Sequence, residues 1–315
     1  MITPASPFHP DNAAGYKTWR KAKLAGYPGS TGELIVEVAN PKALTPVEHE
    51  ALLARCRKAN MAIYATRCGN APDKDILLEM GRQFGLTHLD ANYLSDEDAI
   101  TTLTVAEKGH AKAEFIPYSN RPLRWHTDGY YNIPDRRIRG MTLHCVQPAP
   151  SGGENALLDH EIAYLLLRDE NPAYIRALML EDVMTIPPRM NPHPNPLLEG
   201  EGAMAGSKTA TESGIARAAE TGSVFDLLEG GQLYMRYTAR TKSIAWKQDE
   251  ATQTALAALE KILAADTPFM FRNRLDAGMG LLCNNVLHDR TGYIDNPDAP
   301  RTLYRGRYMD RISGT

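Results

Sequence analysis

The stretch RPLRWHTDGYYN, residues 121–132, reads as a strand running into an Asp128-Gly129 turn. Side chains alternate across a strand, so Arg124, His126 and Asp128 are expected on one face and Trp125 and Thr127 on the other. His126 and Asp128 can then reach one ion. An imidazole nitrogen and a carboxylate oxygen suit iron(II) when a second histidine completes a facial triad and leaves the other positions open for substrate and oxygen. Without that histidine, the pair is equally well the polar end of a hairpin strand.

Working outward, short strands separated by turn residues follow: GMTLHCV (140–146), ENALLD (154–159), FMFRNRL (269–275), GLLCNNVL (280–287) and RTLYRGRYM (301–309). VFDLLEGGQLYMRYTA (224–239) reads as a hairpin around Gly230-Gly231. Upstream, the order is strand, helix, strand, helix over ELIVEV (33–38), TPVEHEALLARCRKAN (45–60), MAIYAT (61–66) and DKDILLEMGRQFGL (73–86). Thr45, Pro46 and Glu48 form a capping-box helix start, and Gly85 can end the second helix. Further helices are expected over HEIAYLLL, over NPAYIRALM with Asn171 as cap, and over DEATQTALAALEKILAA. Many short strands with helices outside them imply a mainly β fold with α elements, a sandwich or barrel with helical buttresses. No domain boundary interrupts residues 1–315, so a single domain is expected.

Residues 187–222 break the pattern with Pro, Gly, Ser and Ala, a composition that buries too little apolar surface to offset its ordering entropy. The segment reads as a flexible lid over a site or as a tolerated insertion.

With 43% hydrophobic and 23% charged residues the chain is an ordinary globular protein, and its net charge of −3, with no Lys/Arg block, argues against a nucleic-acid partner. No apolar run reaches bilayer length and no signal sequence opens the chain, so the expectation is a cytoplasmic protein acting on a small molecule, off the membrane. The sequence leaves a homo-oligomer open. Cys56, Cys68, Cys145 and Cys283 lack the spacing of a zinc site or disulfide scaffold and read as mostly buried thiols.

For the missing histidine, His9, His49 and His193 sit in irregular, amphipathic or low-complexity surroundings. His144, His160 and His288 remain, and His288 follows the apolar run GLLCNNVL at the place of a rim ligand. Downstream, Arg301, Leu303, Arg305 and Arg307 share a strand parity. Arginines on a buried face are costly unless carboxylates or bound anions offset them, and a guanidinium grip on a dicarboxylate follows from that. A solvent-facing edge strand is the plain alternative. Arg301 lies far enough past His288 for a turn and a return along the adjacent strand.

Taken together, NMAIYATRCGNAPDKDILLEMGRQFGL, RWHTDGYYN, PAPSGGENALLD, LLCNNVLHDRTGYID and PRTLYRGRYM, in this order between about residues 60 and 309, resemble the iron(II)- and 2-oxoglutarate-dependent oxygenases of the taurine dioxygenase superfamily, with its clavaminate synthase-like and glutarate hydroxylase-like members. The resemblance implies a double-stranded β-helix, a cupin-like jelly roll with outer helices. It implies that His126, Asp128 and His288 bind Fe(II) and that Arg301 grips the distal carboxylate of 2-oxoglutarate. Asn155 stands where taurine dioxygenase-like members place a threonine against that carboxylate. Arg305 matches an arginine that meets an acidic substrate group, and YMRYTART resembles a strand from which Arg236 or Arg240 could do the same. Tyr130 and Trp125 are expected beside the cavity or in the core.

The implied reaction consumes O2 and 2-oxoglutarate, releases succinate and CO2, and oxidises a small, anionic substrate. Asp128, which related halogenases replace with a small residue, favours hydroxylation. A catalytically silent relative that binds iron or 2-oxoglutarate as a sensor or scaffold is the alternative. A metal-dependent hydrolase would also accept the His-x-Asp pair but has no need of the arginine-bearing last strand.

Overall fold

The computed structural model describes residues 6–91, 95–96, 98–107, 111–190, 215–240 and 244–315. Two sheets carry the site. Their strands are β1 (Ile35–Glu37), β2 (Met61–Ala65), β3 (Thr101–Leu103), β4 (Leu123–His126), β5 (Gly140–Gln147), β6 (Asn155–Leu158), β7 (Met270–Asn273), β8 (Met279–Cys283), β9 (Leu287–Arg290) and β10 (Thr302–Tyr308). The large sheet runs β1-β2-β8-β5-β10-β3 and the small one β7-β6-β9-β4. β1 and β2 pair in parallel, and the other pairs are antiparallel.

Period-two alternation sorts the apolar residues into layers. On β2, Met61 and Ile63 join a core with Met141, Leu143, Leu281, Leu303, Leu157 and Phe271, residues drawn from both sheets. Ala62 and Tyr64 turn the other way, onto Leu52, Leu53, Cys56, Met80 and Phe84 of the flanking helical layer. That layer is α2 (Pro46–Ala59) and α3 (Asp75–Gln83), which follow α1 (Ala13–Leu24). β6 splits likewise. Leu157 enters the intersheet core, while Leu158 packs with Leu287 against α4 (His160–Glu170), α5 (Pro172–Leu178) and α6 (Glu250–Ala264). A sheet covered on both faces explains the near-continuous apolar runs MAIYA and LLC. Two facing sheets with outer helices are the jelly-roll arrangement expected from the sequence.

The helix starts follow their local chemistry. Thr45 and Glu48 form the full capping box with Pro46 in the first turn, and the Asn171 side chain accepts from the Ala173 N–H. Caps of this type contribute about 1 kcal/mol each. Gly85 adopts φ +76° just past α3.

Three expectations need correction. GLLCNNVL is not one strand: it breaks at Asn284-Asn285, with Asn285 left-handed at φ 50°, so β8 lies in the large sheet and β9 in the small one. Asparagine tolerates that conformation, and the apolar residues on both sides hide the break. The return strand that follows His288 is not adjacent to it, because β10 crosses to the large sheet and pairs with β5 and β3. ELIVEV begins with a 3-10 turn over Thr31–Leu34 and leaves only Ile35–Glu37 as strand.

Of the expected lid or insertion at 187–222, residues 191–214 lie outside the described residues, as does His193. Its flanks pair as antiparallel ladders, Arg189–Met190 with Ile215–Arg217, and Met184–Ile186 just before it with Glu220–Gly222. Among the described residues no helix is long and apolar enough to cross a membrane. Cys56, Cys145 and Cys283 are buried free thiols, and Cys68 is half-buried.

Candidate metal centre

β4 and β9 pair with His126 directly opposite His288. Both rings therefore rise from one face, with centroids 4.2 Å apart. Each Nδ1 lies 2.9 Å from the carbonyl oxygen two residues earlier, that of Arg124 for His126 and that of Val286 for His288. A ring that donates from Nδ1 keeps its lone pair on Nε2, so these bonds select the ligating tautomer of both histidines.

Asp128 arrives differently from the alternating strand expected. β4 ends at His126, and Arg124, expected on the same face, is exposed. Asp128 is held instead by Asn285. Its N–H donates to Asn285 Oδ1 at 2.8 Å, and Asn285 Nδ2 donates to the Asp128 carbonyl at 2.9 Å and to the Ile138 carbonyl at 2.7 Å. Gly129 then turns the chain at φ +67°, where a Cβ would meet Ile138 Cγ1 at 2.3 Å. The result places one ligand atom each from His126, Asp128 and His288 within 4.8 Å of one another, all three residues buried.

This donor set fits iron(II): two imidazoles and one carboxylate converge from one side. Asp128 Oδ2 is buried without a hydrogen-bond partner, a costly state for a carboxylate unless a cation meets it. Burial pushes the Asp128 carboxyl up, yet the guanidiniums of Arg305 and Arg307 and the two imidazoles outweigh it and hold the group below the usual carboxylate range. Burial, reinforced by His288, pushes His126 down to about 3. The carboxylate is ionised and the imidazole neutral at neutral pH, the forms that bind metal.

β10 faces this centre from the large sheet. Arg305 Nη1 lies 3.2 Å from Asp128 Oδ1. Arg307 Nη2 lies 2.6 Å from Asp90 Oδ2, and its Nη1 donates to the Tyr131 hydroxyl at 2.8 Å. Arg301, just before the strand, is buried and forms no ion pair among the described residues. One cavity is lined by His288, Asn155, Arg290, Arg301, Leu303 and Arg305 among others.

The family model for "Taurine catabolism dioxygenase TauD, TfdA family" matches residues 69–307. The chain belongs to this family. As a TauD/TfdA-family protein with the His-x-Asp…His triad in place, it is an iron(II)- and 2-oxoglutarate-dependent dioxygenase. It is 26% identical over 220 residues to a uridine-5'-phosphate dioxygenase of Streptomyces sp, covering 68% of this chain and 71% of that one. It is 28% identical over 191 residues to a uridine-5'-phosphate dioxygenase of Amycolatopsis sp, covering 59% and 60%. Its fold is similar to that of asparagine oxygenase solved with Fe(II), hydroxyasparagine and succinate, with TM-score 0.55, 16% identity and coverage of 95% and 85%.

In this TauD-family dioxygenase the remaining expected site residues fall into two groups. Asn155 shares the cavity with Arg301. Tyr130 is buried in the turn after Asp128, and its hydroxyl reaches Thr238. Arg236 is buried and donates to the Tyr130, Met184 and Glu220 carbonyls, so its guanidinium fixes the backbone beside the site. Segment 237–239 extends the small sheet past β4: Thr238 bridges His126, and the Ala239 N–H donates to the Trp125 carbonyl. Arg240, two residues on, forms no ion pair among the described residues, and its charge acts on both His126 and Tyr130.

The other two candidate histidines lie elsewhere. His144 is buried on β5 against the Tyr64 hydroxyl, and His160 is buried at the start of α4. Sequence reasoning missed Asn285, Asp90 and Tyr131. Asn284-Asn285 within an apolar run was the available signal for the first. The other two give none, because they meet Arg307 only through the fold.

Proposed function

We propose that this dioxygenase hydroxylates a small anionic molecule while 2-oxoglutarate is oxidatively decarboxylated to succinate and CO2. The observation that carries the reading is the single cavity joining His288 of the triad to Arg301, Asn155 and Arg305. When bound, iron(II) with 2-oxoglutarate and O2 supplies the oxidising chemistry.

The chain's part is to bind, orient and protect. Arg301 holds the distal carboxylate of 2-oxoglutarate, with Asn155 as an amide donor beside it, and this carboxylate offsets the buried guanidinium. Arg305, at the iron end, meets the substrate anion together with Arg240 and the Tyr130 hydroxyl. Arg236 holds the Tyr130 carbonyl and so keeps that wall of the cavity in place. The apolar walls, Leu103, Leu123, Met141, Leu143 and Leu303, keep bulk water from the reacting atoms. The names of the two relatives make a phosphate monoester the anion to try first.

The test is succinate release under air across uridine 5'-phosphate, amino acids, dicarboxylates and sulfonates, with His126→Ala as control. Turnover coupled to one anionic class is the expected result. Stimulation by uncharged molecules alone removes the anionic reading. Tight binding of iron and 2-oxoglutarate with no coupled turnover in any class favours a sensor.

A further inference from the structure

The cavity holds more positive charge than one distal carboxylate grip requires. Arg290 lies two residues past His288 on β9, is 5% exposed, and lines the same cavity as Arg301. Its two hydrogen bonds both run from Nη2, to the Ser119 carbonyl at 2.8 Å and the Arg121 carbonyl at 2.6 Å. Its Nε is buried without a partner. Arg290 and Arg301 both pack on the Tyr293 ring, their guanidinium carbons 4.8 and 4.9 Å from its centroid. Neither forms an ion pair with a carboxylate among the described residues. Asp289 also lines the cavity, but its Oδ1 is taken by the Ala156 N–H.

Two buried guanidiniums against one aromatic ring, neither ion-paired to a carboxylate among the described residues, repel each other. Backbone carbonyls satisfy hydrogen bonds but leave the net charge, so the pair needs an anionic ligand. An arginine needed only to fix the Ser119–Arg121 loop has no reason to sit beside a second, unneutralised arginine.

We propose that Arg290 is a second cationic residue of the 2-oxoglutarate site, acting with Arg301 on the carboxylate remote from iron. The inference rests on the reading that Arg301 holds that carboxylate. It adds a residue that the sequence shows only as the end of His288-Asp289-Arg290.

The test compares two ligands of the oxygen-free, iron(II)-loaded protein: 2-oxoglutarate, and 2-oxopentanoate, a five-carbon 2-oxo acid without the distal carboxylate. Binding is followed by calorimetry and by the metal-to-ligand absorption band. In Arg290→Gln, 2-oxoglutarate affinity is expected to fall about tenfold or more while 2-oxopentanoate affinity holds, so the preference between them narrows. Equal losses for both ligands, or no loss, overturn the proposal, the first by showing that Arg290 acts only through the loop. Arg290→Lys keeps the charge and a carbonyl donor and serves if the glutamine variant does not fold. It should narrow the preference by a smaller factor, and an unchanged preference counts against the proposal. Arg301→Gln separates the two ideas: if it leaves the preference intact, the Arg301 reading falls and the Arg290 proposal with it. If Arg301→Gln narrows the preference and Arg290→Gln does not, only the Arg290 proposal falls.

Discussion

In the small sheet, His126 and His288 each turn one ring nitrogen to a backbone carbonyl and the other toward the metal centre. Along the arginine face of β10 and the residue before it, compensation is graded. Arg307 is paired with Asp90 and Tyr131, Arg305 shares Asp128 with the metal centre, and Arg301 has no carboxylate partner among the described residues. The small sheet thus pre-sets ligands for a cation, and along that arginine face the charge is least compensated at Arg301. The comparison separates an arginine paired to a carboxylate within the fold from one with no carboxylate partner among the described residues, although all three are buried and share a strand parity.

The largest expected effect lies in the small sheet. His126→Ala should reduce iron(II) affinity by more than ~100-fold, the ceiling for residues that only support a ligand. The 2-oxoglutarate absorption band of the anaerobic protein reports it, and a retained band would show that the centre lies elsewhere. Next comes β10. Asp90→Ala removes the ion pair of the buried Arg307 and should cost about 3–5 kcal/mol in denaturant unfolding, with 2-oxoglutarate affinity kept in the folded protein. Arg301→Met should do the reverse: unfolding within about 1 kcal/mol of wild type, or more stable, and 2-oxoglutarate affinity down ~30-fold or more. If the two variants exchange effects, the graded reading of β10 is wrong.

Asn285 sharpens the contrast from within the centre, because it ties the β8–β9 turn to both backbone groups of Asp128. Asn285→Gly keeps the left-handed conformation and removes only the amide clamp. It should weaken manganese(II) or iron(II) affinity about 10–100-fold, with 2-oxoglutarate affinity of the metal-loaded protein little changed. Metal affinity equal to wild type would mean that Gly129 and Ile138 suffice to place Asp128.

These residues also mark where the sequence was legible. His126, Asp128 and Arg301 stand in order and spacing, and the capping box at Thr45 and Glu48 is a local motif whose chemistry acts within one turn. His288 was expected to close the strand GLLCNNVL and instead stands second in a separate strand, β9 (Leu287–Arg290). The break at Asn285 depends on which sheet each half joins, a nonlocal fact that an apolar run conceals. For the same reason β10 was expected beside His288 yet lies across the sandwich. Arg305 and Arg307 look alike in RTLYRGRYM; Asp90, far upstream, is what distinguishes them, and only the folded chain brings it near.

A third buried histidine tests the converse of the metal centre. His144 sits on β5 of the large sheet with its Nδ1 3.1 Å from the Tyr64 hydroxyl, while its Nε2 is buried without a partner. Burial, opposed by the Asp73 charge, lowers its pKa to about 4, and among the described residues it belongs to no cluster of metal-ligating side chains. The folded value lies below the unfolded value of 6.5, so the unfolded chain takes up the proton first. The stability that this neutral ring contributes is therefore complete above pH 6.5 and lost as pH falls toward 4, by at most about 3 kcal/mol. In His144→Phe the wild-type decline of unfolding free energy between pH 6.5 and 4.5 should flatten by up to about 1.4 kcal/mol per pH unit, the slope of one proton. The difference between variant and wild type isolates this ring from the metal-centre histidines. Identical slopes would mean that the large sheet admits a charged imidazole without cost, and the distinction between its buried histidine and those of the small sheet would have to rest on metal binding alone.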